Sequence, residues 1–184
     1  VSKVFAPDEL DTEVLLEFVA HGGVAFLGAD KFSGALVDSL KFKLEVNYAL
    51  KFADTNTLHF TAPALSPNEK KWHYKGGTTA NYFVDLDSTS ATVTAINQDS
   101  QPVMIEQPYG EGTFYICSTP ICFTNYSMLS GDNREFIAKS FSKFSAGTIL
   151  WDEYYKVGRD EIRSPLRYIL SVDSLRWAYY CILI

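Results

Sequence analysis

The chain has 184 residues, of which 47% are hydrophobic and 21% are charged. This balance is typical of one globular domain with a sizeable core and excludes an intrinsically disordered chain. A formal net charge of −6, with scattered basic residues, opposes binding to a phosphate backbone, so no nucleic-acid partner is expected.

A first helix is predicted to follow Pro7, because acids cluster at its start and apolar residues recur at helical spacing. The apolar positions are Leu10, Val14, Phe18 and Val19. His21 is expected to help end this helix through the negative helix dipole, and Gly22 and Gly23 stop it.

A buried strand is predicted directly after the glycines, since Val24–Leu27 is a short and continuous apolar run. Gly28–Asp30 would then follow at the carboxyl end of that strand. Open α/β sheets place their binding crevices at such ends, which makes Asp30 a candidate binding residue.

The middle of the chain is predicted to be rich in strands, because apolar and polar residues alternate with a period of two from Phe42 to Asn97. Within it, Ser66–Thr79 is polar and contains turn-forming residues, which indicates a loop or a hairpin connection. We interpret residues 42–97 as a strand-rich insertion.

The clearest hairpin joins Val103–Gln107 to Thr113–Ser118 through the turn Tyr109–Gly112. A second helix is then predicted from Asp132 to Phe144, where apolar residues return to helical spacing. Thr148–Trp151 is a short apolar run and is predicted to be another buried strand.

The C-terminal stretch Leu175–Ile184 is apolar and aromatic, with no charge after Arg176. It is too short to cross a membrane, which takes about 20 residues. Arg176, Trp177 and the tyrosines that follow are typical of the interfacial belt before a spanning helix. A buried C-terminal helix explains the same residues, and the pattern does not choose between the two.

Cys117, Cys122 and Cys181 show neither zinc-knuckle spacing nor the density of a disulfide scaffold. We expect free thiols; a bridge between Cys117 and Cys122 is the alternative. A catalytic cysteine of the amidotransferase kind needs a sharp, glycine-flanked turn, which Cys117 and Cys122 both lack. No catalytic residue is therefore assigned.

The three histidines, His21, His59 and His73, lie far apart in the sequence and have no second ligand at metal-binding spacing. No metal and no cofactor is predicted. His59 alternates with apolar neighbours and is expected on the exposed face of a strand.

Two groups of residues are candidates for binding. Thr124, Asn125 and Tyr126 follow Pro120 at a strand end and can bond a ligand or their own backbone. The second group is Asp152, Glu153, Tyr154 and Arg159, of which the first three follow the run that ends at Trp151. Adjacent strand residues point to opposite faces, so Asp152 and Glu153 are not expected to act as a dyad. One of them is expected to pair with Arg159, Arg163 or Arg167.

The order of these motifs resembles the bacterial family known as domain of unknown function 4350. The residues that carry the resemblance are Tyr109–Thr113, Phe123–Leu129, Ile149–Tyr155, Gly158, Arg159, Ser164–Leu170 and Leu175–Ile184, with a looser match at Glu9–Leu27. The resemblance implies an α/β (or α+β) domain with a mixed sheet and flanking helices, distantly similar to class I glutamine amidotransferase-like domains. It also implies that members commonly carry further α/β elements before the helix at Asp8.

The resemblance further implies a single domain, residues 1–174, held on the periplasmic side of a bacterial membrane between an N-terminal membrane helix and a second one that begins near Leu175. Other envelope or membrane proteins, including an AAA-type ATPase system, are the implied partners. We expect a non-enzymatic ligand-binding or assembly module. A hydrolase or amidotransferase-like enzyme acting on a cell-envelope substrate is the first alternative, and a glycan-binding module using Trp72, Tyr74 and Tyr82 is the second.

Overall fold

The computed structural model describes residues 2–77, 79–86, 90–144, 147–152 and 173–183. The strands are β1 (Ser2–Phe5), β2 (Val24–Phe32), β3 (Lys43–Val46), β4 (Thr55–Phe60), β5 (Trp72–Lys75), β6 (Asn81–Val84), β7 (Thr92–Asn97), β8 (Pro102–Tyr109) and β9 (Gly112–Cys117). The helices are α1 (Glu9–Ala20), α2 (Ala35–Leu40), α3 (Tyr48–Phe52), α4 (Asn125–Met128), α5 (Asn133–Phe141) and α6 (Asp173–Leu183), with 3₁₀ turns at Pro67–Glu69 and Pro120–Phe123.

Seven strands form one mixed sheet in the order β1-β2-β9-β8-β7-β4-β5. β1, β2 and β9 run parallel, and the remaining neighbours pair antiparallel. β3 and β6 form a separate antiparallel pair. The predicted mixed α/β architecture is therefore confirmed. Three strands of the predicted strand-rich segment, β4, β5 and β7, extend the main sheet.

Both faces of the central strands are covered by helices. On one face Val19 of α1 and Leu36 of α2 pack in the same cluster as Ile116 of β9. On the other face Phe136 of α5 packs in a cluster with Cys117, the next residue of β9. Burial on both faces explains why β9 is a continuous apolar run rather than an alternating one.

The first helix forms where the sequence predicts it. The Asp8 carboxylate caps it by accepting a hydrogen bond from the Asp11 amide (Oδ1 to N, 2.9 Å). At the other end the His21 amide and ring Nδ1 both lie within hydrogen-bond distance of the Glu17 carbonyl. The expected role of His21 in ending α1 is thus confirmed.

The turn of the β8–β9 hairpin is packed against the end of α1. The Glu111 amide donates to the carbonyl of Ala20 at 2.9 Å, and Gly110 adopts a positive φ of 60°. A Cβ atom on Gly112 would overlap the carbonyl oxygens of Val19 and Gly23. The glycines that predict the hairpin are therefore also required by tertiary contact.

The strand predicted at Val24–Leu27 is longer than expected, because β2 continues to Phe32. Its second half pairs with β1 in a register that places Ser2 opposite Ala29. Asp30 consequently lies within a strand and not in a loop after it. The prediction missed this extension, since the polar residues Asp30 and Lys31 interrupt the apolar run that it relied on.

The predicted strand Thr148–Trp151 is wrong: these residues form no strand, and Ile149 and Leu150 are exposed. A short apolar run becomes a strand only where another strand pairs with it, and none of the described strands pairs with residues 148–151. The helix predicted at Asp132–Phe144 is confirmed as α5.

The C-terminal stretch is helical, as α6, and Trp177 and Tyr180 on it are exposed. None of the helices described is long and apolar enough to cross a membrane. Ser164–Leu170, which carry part of the resemblance, lie outside the described residues.

Candidate functional site

The carboxyl ends of β2 and β9 meet at one edge of the sheet, where the start of β6 joins them. The Ser118 hydroxyl, directly after β9, donates to the carbonyl of Asn81 (2.8 Å) and lies near that of Val103. The side-chain amide of Asn81 in turn donates to the backbone carbonyl of Asp30 (2.9 Å). This edge is therefore closed by hydrogen bonds between backbone and side chain rather than left as an open crevice.

Two thiols lie behind this edge, and one threonine contacts both. The Thr119 hydroxyl is 3.4 Å from the sulfur of Cys117 and 3.7 Å from that of Cys122. All three residues are buried, and both cysteines are free. Tyr74 belongs to the same apolar cluster, and its buried hydroxyl lies against the thiol of Cys122.

Burial decides the chemistry of these groups. It raises the pKa of the Cys117 thiol to about 11, although the hydrogen bond from Thr119 acts in the opposite direction. Burial also raises the pKa of Cys122, with a smaller contribution from the neighbouring Cys117. The Tyr74 pKa is raised in the same way. A nucleophilic cysteine needs exposure and a lowered pKa, and these two have neither.

Asp30, a predicted binding residue, is placed beside Lys3 of β1. Partial burial raises the pKa of its carboxyl, and the Lys3 ammonium lowers it. Its side chain is exposed, while its backbone carbonyl is occupied by Asn81. The structure therefore leaves only the carboxylate of Asp30 for an external partner.

Thr124 has a structural role. Its hydroxyl donates to the carbonyl of Ile121 (2.7 Å) and accepts from the amide of Ser127 (3.4 Å), which caps α4. The sequence allowed Thr124 to bond either a ligand or the backbone of its own loop, and the structure shows the second.

The neighbours of Thr124 face solvent. Asn125 is exposed, Tyr126 is 65% exposed, and Leu129 at the end of α4 is 86% exposed. Met128 is exposed as well. The structure therefore brings Tyr126 together with two apolar residues, Met128 and Leu129, that the sequence reasoning missed. The sequence signal for this exposed group was the run Tyr-Ser-Met-Leu directly after the polar residues Thr124 and Asn125.

Asp152 is exposed and follows the non-strand segment 147–151. Glu153, Tyr154 and Arg159, the other predicted binding residues of that region, lie outside the described residues, as do Arg163 and Arg167. The predicted ion pair between this acidic run and an arginine therefore stays a prediction.

Two of the three aromatic residues of the glycan-binding alternative are buried. Trp72 and Tyr74 are both buried in the cluster around Phe136, because β5 turns them toward α5. Only Tyr82 of that set is partly exposed, and its hydroxyl contacts the carboxylate of Glu45 (3.2 Å). The glycan-binding alternative therefore loses Trp72 and Tyr74 as contact residues.

His59 is less exposed than expected. It is half-buried on β4, and its Nδ1 is buried without a hydrogen-bond partner among the described residues. Burial lowers its pKa, the Lys71 ammonium lowers it further, and the Glu69 carboxylate opposes both. Within the described part of the chain, no group of His, Cys, Asp and Glu is arranged to hold a metal ion.

The fold and this edge define a three-layered α/β domain in which two thiols are sealed and apolar side chains are displayed on a short helix beside them. The chain belongs to the family described as Domain of unknown function (DUF4350), whose model matches residues 2–140. The match includes Tyr109–Thr113 and Phe123–Leu129, which carry part of the resemblance, and ends before Ile149. No curated protein matches the chain.

Comparison with solved structures gives matches of different strength. The structure described as the mmIFT52 N-terminal domain has a TM-score of 0.57 and 11% identity, over 81% of this chain and 80% of its own. A Gan42B GH42 β-galactosidase catalytic mutant from G. stearothermophilus has a TM-score of 0.40 and 18% identity, over 62% of this chain and 18% of its own. The β-galactosidase from Rahnella sp. R3 has a TM-score of 0.49 and 16% identity, over 76% of this chain and 21% of its own. At these identities the likeness concerns the fold alone.

Proposed function

We propose that the chain is a non-enzymatic binding or assembly module of an integral membrane protein and that α4 carries its contact surface. The observation behind this proposal is the exposure of Tyr126 and Leu129 beside the closed carboxyl edge of the sheet. Exposed aromatic and apolar residues that lie together are typical of protein-contact surfaces. Tyrosine in particular supplies a large contact area at a low cost in conformational entropy.

The sealed thiols support a binding role over an amidotransferase-like reaction. A core distantly similar to class I glutamine amidotransferase-like domains would normally present its cysteine on an exposed turn. Here Cys117 lies inside β9 and Cys122 lies inside the 3₁₀ turn, both fully buried. The loops that remain accessible at this edge offer contact surface and not a nucleophile.

Site-specific photocrosslinking in cells tests the binding role. A photoreactive phenylalanine analogue replaces Tyr126 in the full-length protein, and crosslinked products are identified by mass spectrometry. We expect a crosslink to a membrane or envelope protein, such as a component of an AAA-type ATPase system. Tyr48 is the matched control, because it is 67% exposed and lies on α3, outside this edge. Equal crosslinking at both positions, or none at Tyr126, would contradict the proposal.

The placement of the domain is a separate part of the proposal. The domain would lie on the extracytoplasmic side, with a membrane helix that begins near Leu175. The aromatic residues Trp177 and Tyr180 on α6 support this placement, since such residues are enriched at membrane interfaces. Alkaline phosphatase fused after residue 174 of the full-length protein should be active, and green fluorescent protein fused there should be dark. The reverse pattern would place the domain in the cytoplasm.

A further inference from the structure

A groove lies between α1 and α2 on the face of the sheet opposite α5. It has a volume of about 520 Å³ and opens to solvent. Three of its lining residues are glutamates of α1, namely Glu9, Glu13 and Glu17, and its far side is formed by Ala35 and Ser39 of α2, with Tyr109 beneath. None of the three glutamates forms an ion pair with another described residue.

The two helices that border this groove carry only acidic charges. α1 contains four acids and no Lys or Arg, the charged residue of α2 is Asp38, and Lys41 follows α2 directly. Like charges without partners repel one another and destabilise the folded chain modestly. A bound cation would remove that repulsion.

An exposed apolar stripe runs beside the acidic one. Leu10, Val14 and Phe18 are spaced by four residues along α1, and all three are exposed. Each is the residue that follows one of the three glutamates, so the two stripes run side by side for the length of the helix. Rows of side chains at this spacing are the ridges that a second helix packs against.

Thr12 supplies an independent sign of a missing partner. It lines the groove and is only 2% exposed, yet its hydroxyl has no hydrogen-bond partner among the described residues. A buried hydroxyl without a partner costs about 1–3 kcal/mol. A donor that enters the groove from outside would relieve that cost.

We propose that α1 and the α1–α2 groove bind a basic amphipathic helix of a partner protein, with lysine or arginine side chains in the groove and apolar side chains on the Leu10–Val14–Phe18 stripe. An ammonium or guanidinium group entering between Glu13 and Glu17 donates to their carboxylates and to the Thr12 hydroxyl. This surface belongs to α1 and α2 rather than to α4, so the inference stands whether or not α4 binds a partner.

The acidic character of this surface selects the partner. An anionic lipid surface would be repelled by Glu9, Glu13 and Glu17, since membrane attraction requires clustered Lys or Arg. A purely apolar partner would leave the Thr12 hydroxyl and the glutamates unpaired. A helix that carries both basic and apolar residues matches both stripes at once.

The test uses a fluorescent peptide of about 15 residues, a length at which a helix becomes marginally stable. It carries Leu at every fourth position and Lys at the following position, and a second peptide carries Glu in place of each Lys. Fluorescence anisotropy measures the binding of each to the protein at low and at physiological salt. We expect the basic peptide to bind, more weakly as salt rises, and the acidic peptide not to bind.

Variants locate the binding. Replacing Glu13 and Glu17 together by Gln should weaken binding of the basic peptide about fivefold or more, as the loss of two ion pairs predicts. Asp54→Asn with Asp85→Asn removes the same charge from exposed positions outside α1 and α2, and binding should stay within about twofold of the parent. Val14→Ser should weaken binding without altering the salt dependence. No binding of the basic peptide, equal loss in both double variants, or equal binding of the acidic peptide overturns the inference.

Discussion

The hydroxyl of Thr119 lies 3.4 Å from the sulfur of Cys117, with neither group accessible to solvent. The same hydroxyl is within reach of Cys122, so one residue satisfies two buried thiols. The arrangement stabilises protonated thiols in an apolar cluster, because burial disfavours the charged thiolate. It therefore separates a structural role of these cysteines from a catalytic one.

Thiol labelling measures directly whether Cys117 and Cys122 are protected from solvent. In the folded 184-residue chain without a membrane, at about pH 8, Cys181 should react with a thiol reagent such as dithionitrobenzoate, because it is exposed and its thiol is free. Cys117 and Cys122 should react only after unfolding in denaturant. Cys181→Ser should therefore abolish the fast reaction while leaving the slow one. Fast reaction of Cys117 or Cys122 in the native protein would reopen the enzymatic alternative.

Gly112 is expected to tolerate no side chain. Gly112→Ala places a Cβ atom against the carbonyl oxygens of Val19 and Gly23, both of which are fixed backbone groups. Either the hairpin turn or the end of α1 must move, so the free energy of unfolding should fall by about 2 kcal/mol or more. Urea denaturation followed by tryptophan fluorescence measures the change.

The control for Gly112 is Gly147→Ala. A Cβ atom on Gly147 meets no atom of the other described residues within 4 Å. Its free energy of unfolding should stay within about 0.5 kcal/mol of the parent. Similar losses for the two variants would show that the contact between the hairpin and α1 is not what requires Gly112.

Local patterns predict the elements that local interactions stabilise. α1 and the β8–β9 hairpin follow from a cap, a spacing and a turn, all of which lie within a few residues of each other. β1 does not, because it exists through pairing with residues such as Ala29, far along the chain. The segment at Ile149 fails for the converse reason, since it has strand-like composition but no partner strand among those described.

The site is predictable to a similar extent. The burial of Cys117 follows from its apolar neighbours, and a bond from Thr124 to its own backbone was one of the two outcomes that the sequence allowed. The burial of Trp72 against Phe136 does not follow, since it depends on α5 packing over β5. Thr12 could have been recognised from its helical spacing with Val19, but its unpaired hydroxyl could not.

His59 should make the protein less stable in mild acid. Its folded-state pKa is lowered, chiefly by burial, so the unfolded chain binds the proton more readily. The stabilising contribution of neutral His59 is therefore fully present above the unfolded-state pKa of about 6.5, and it declines as the pH falls below that value. His59→Gln should reduce this decline between about pH 7.5 and pH 5.5. Denaturant titrations across that range measure it.

His73→Gln serves as the comparison for His59, because it removes an imidazole from an exposed position on the neighbouring strand β5. It should leave the acid dependence of stability close to that of the parent. An equal effect of both substitutions would show that the buried environment of His59 is not the cause.

Phe136 is expected to hold α5 and the thiol cluster in place. Its ring stacks on Phe60 with centroids 4.7 Å apart and contacts the edge of Trp72 at 5.6 Å. Because Phe136 is fully buried, Phe136→Ala should lower the free energy of unfolding by about 3–5 kcal/mol. Phe52→Ala makes the same chemical change at an exposed position and should cost less than about 0.5 kcal/mol.

The same variant also connects the packing of α5 to the cysteines. Cys122 shares a cluster with Phe136, so removing the ring should make local opening more frequent and raise the rate at which Cys122 is labelled under native conditions. Phe52→Ala should leave that rate unchanged. If Phe136→Ala lowers the stability but leaves Cys122 protected, the thiols are sealed by β9 and Thr119 alone, and α5 contributes only to the stability of the domain.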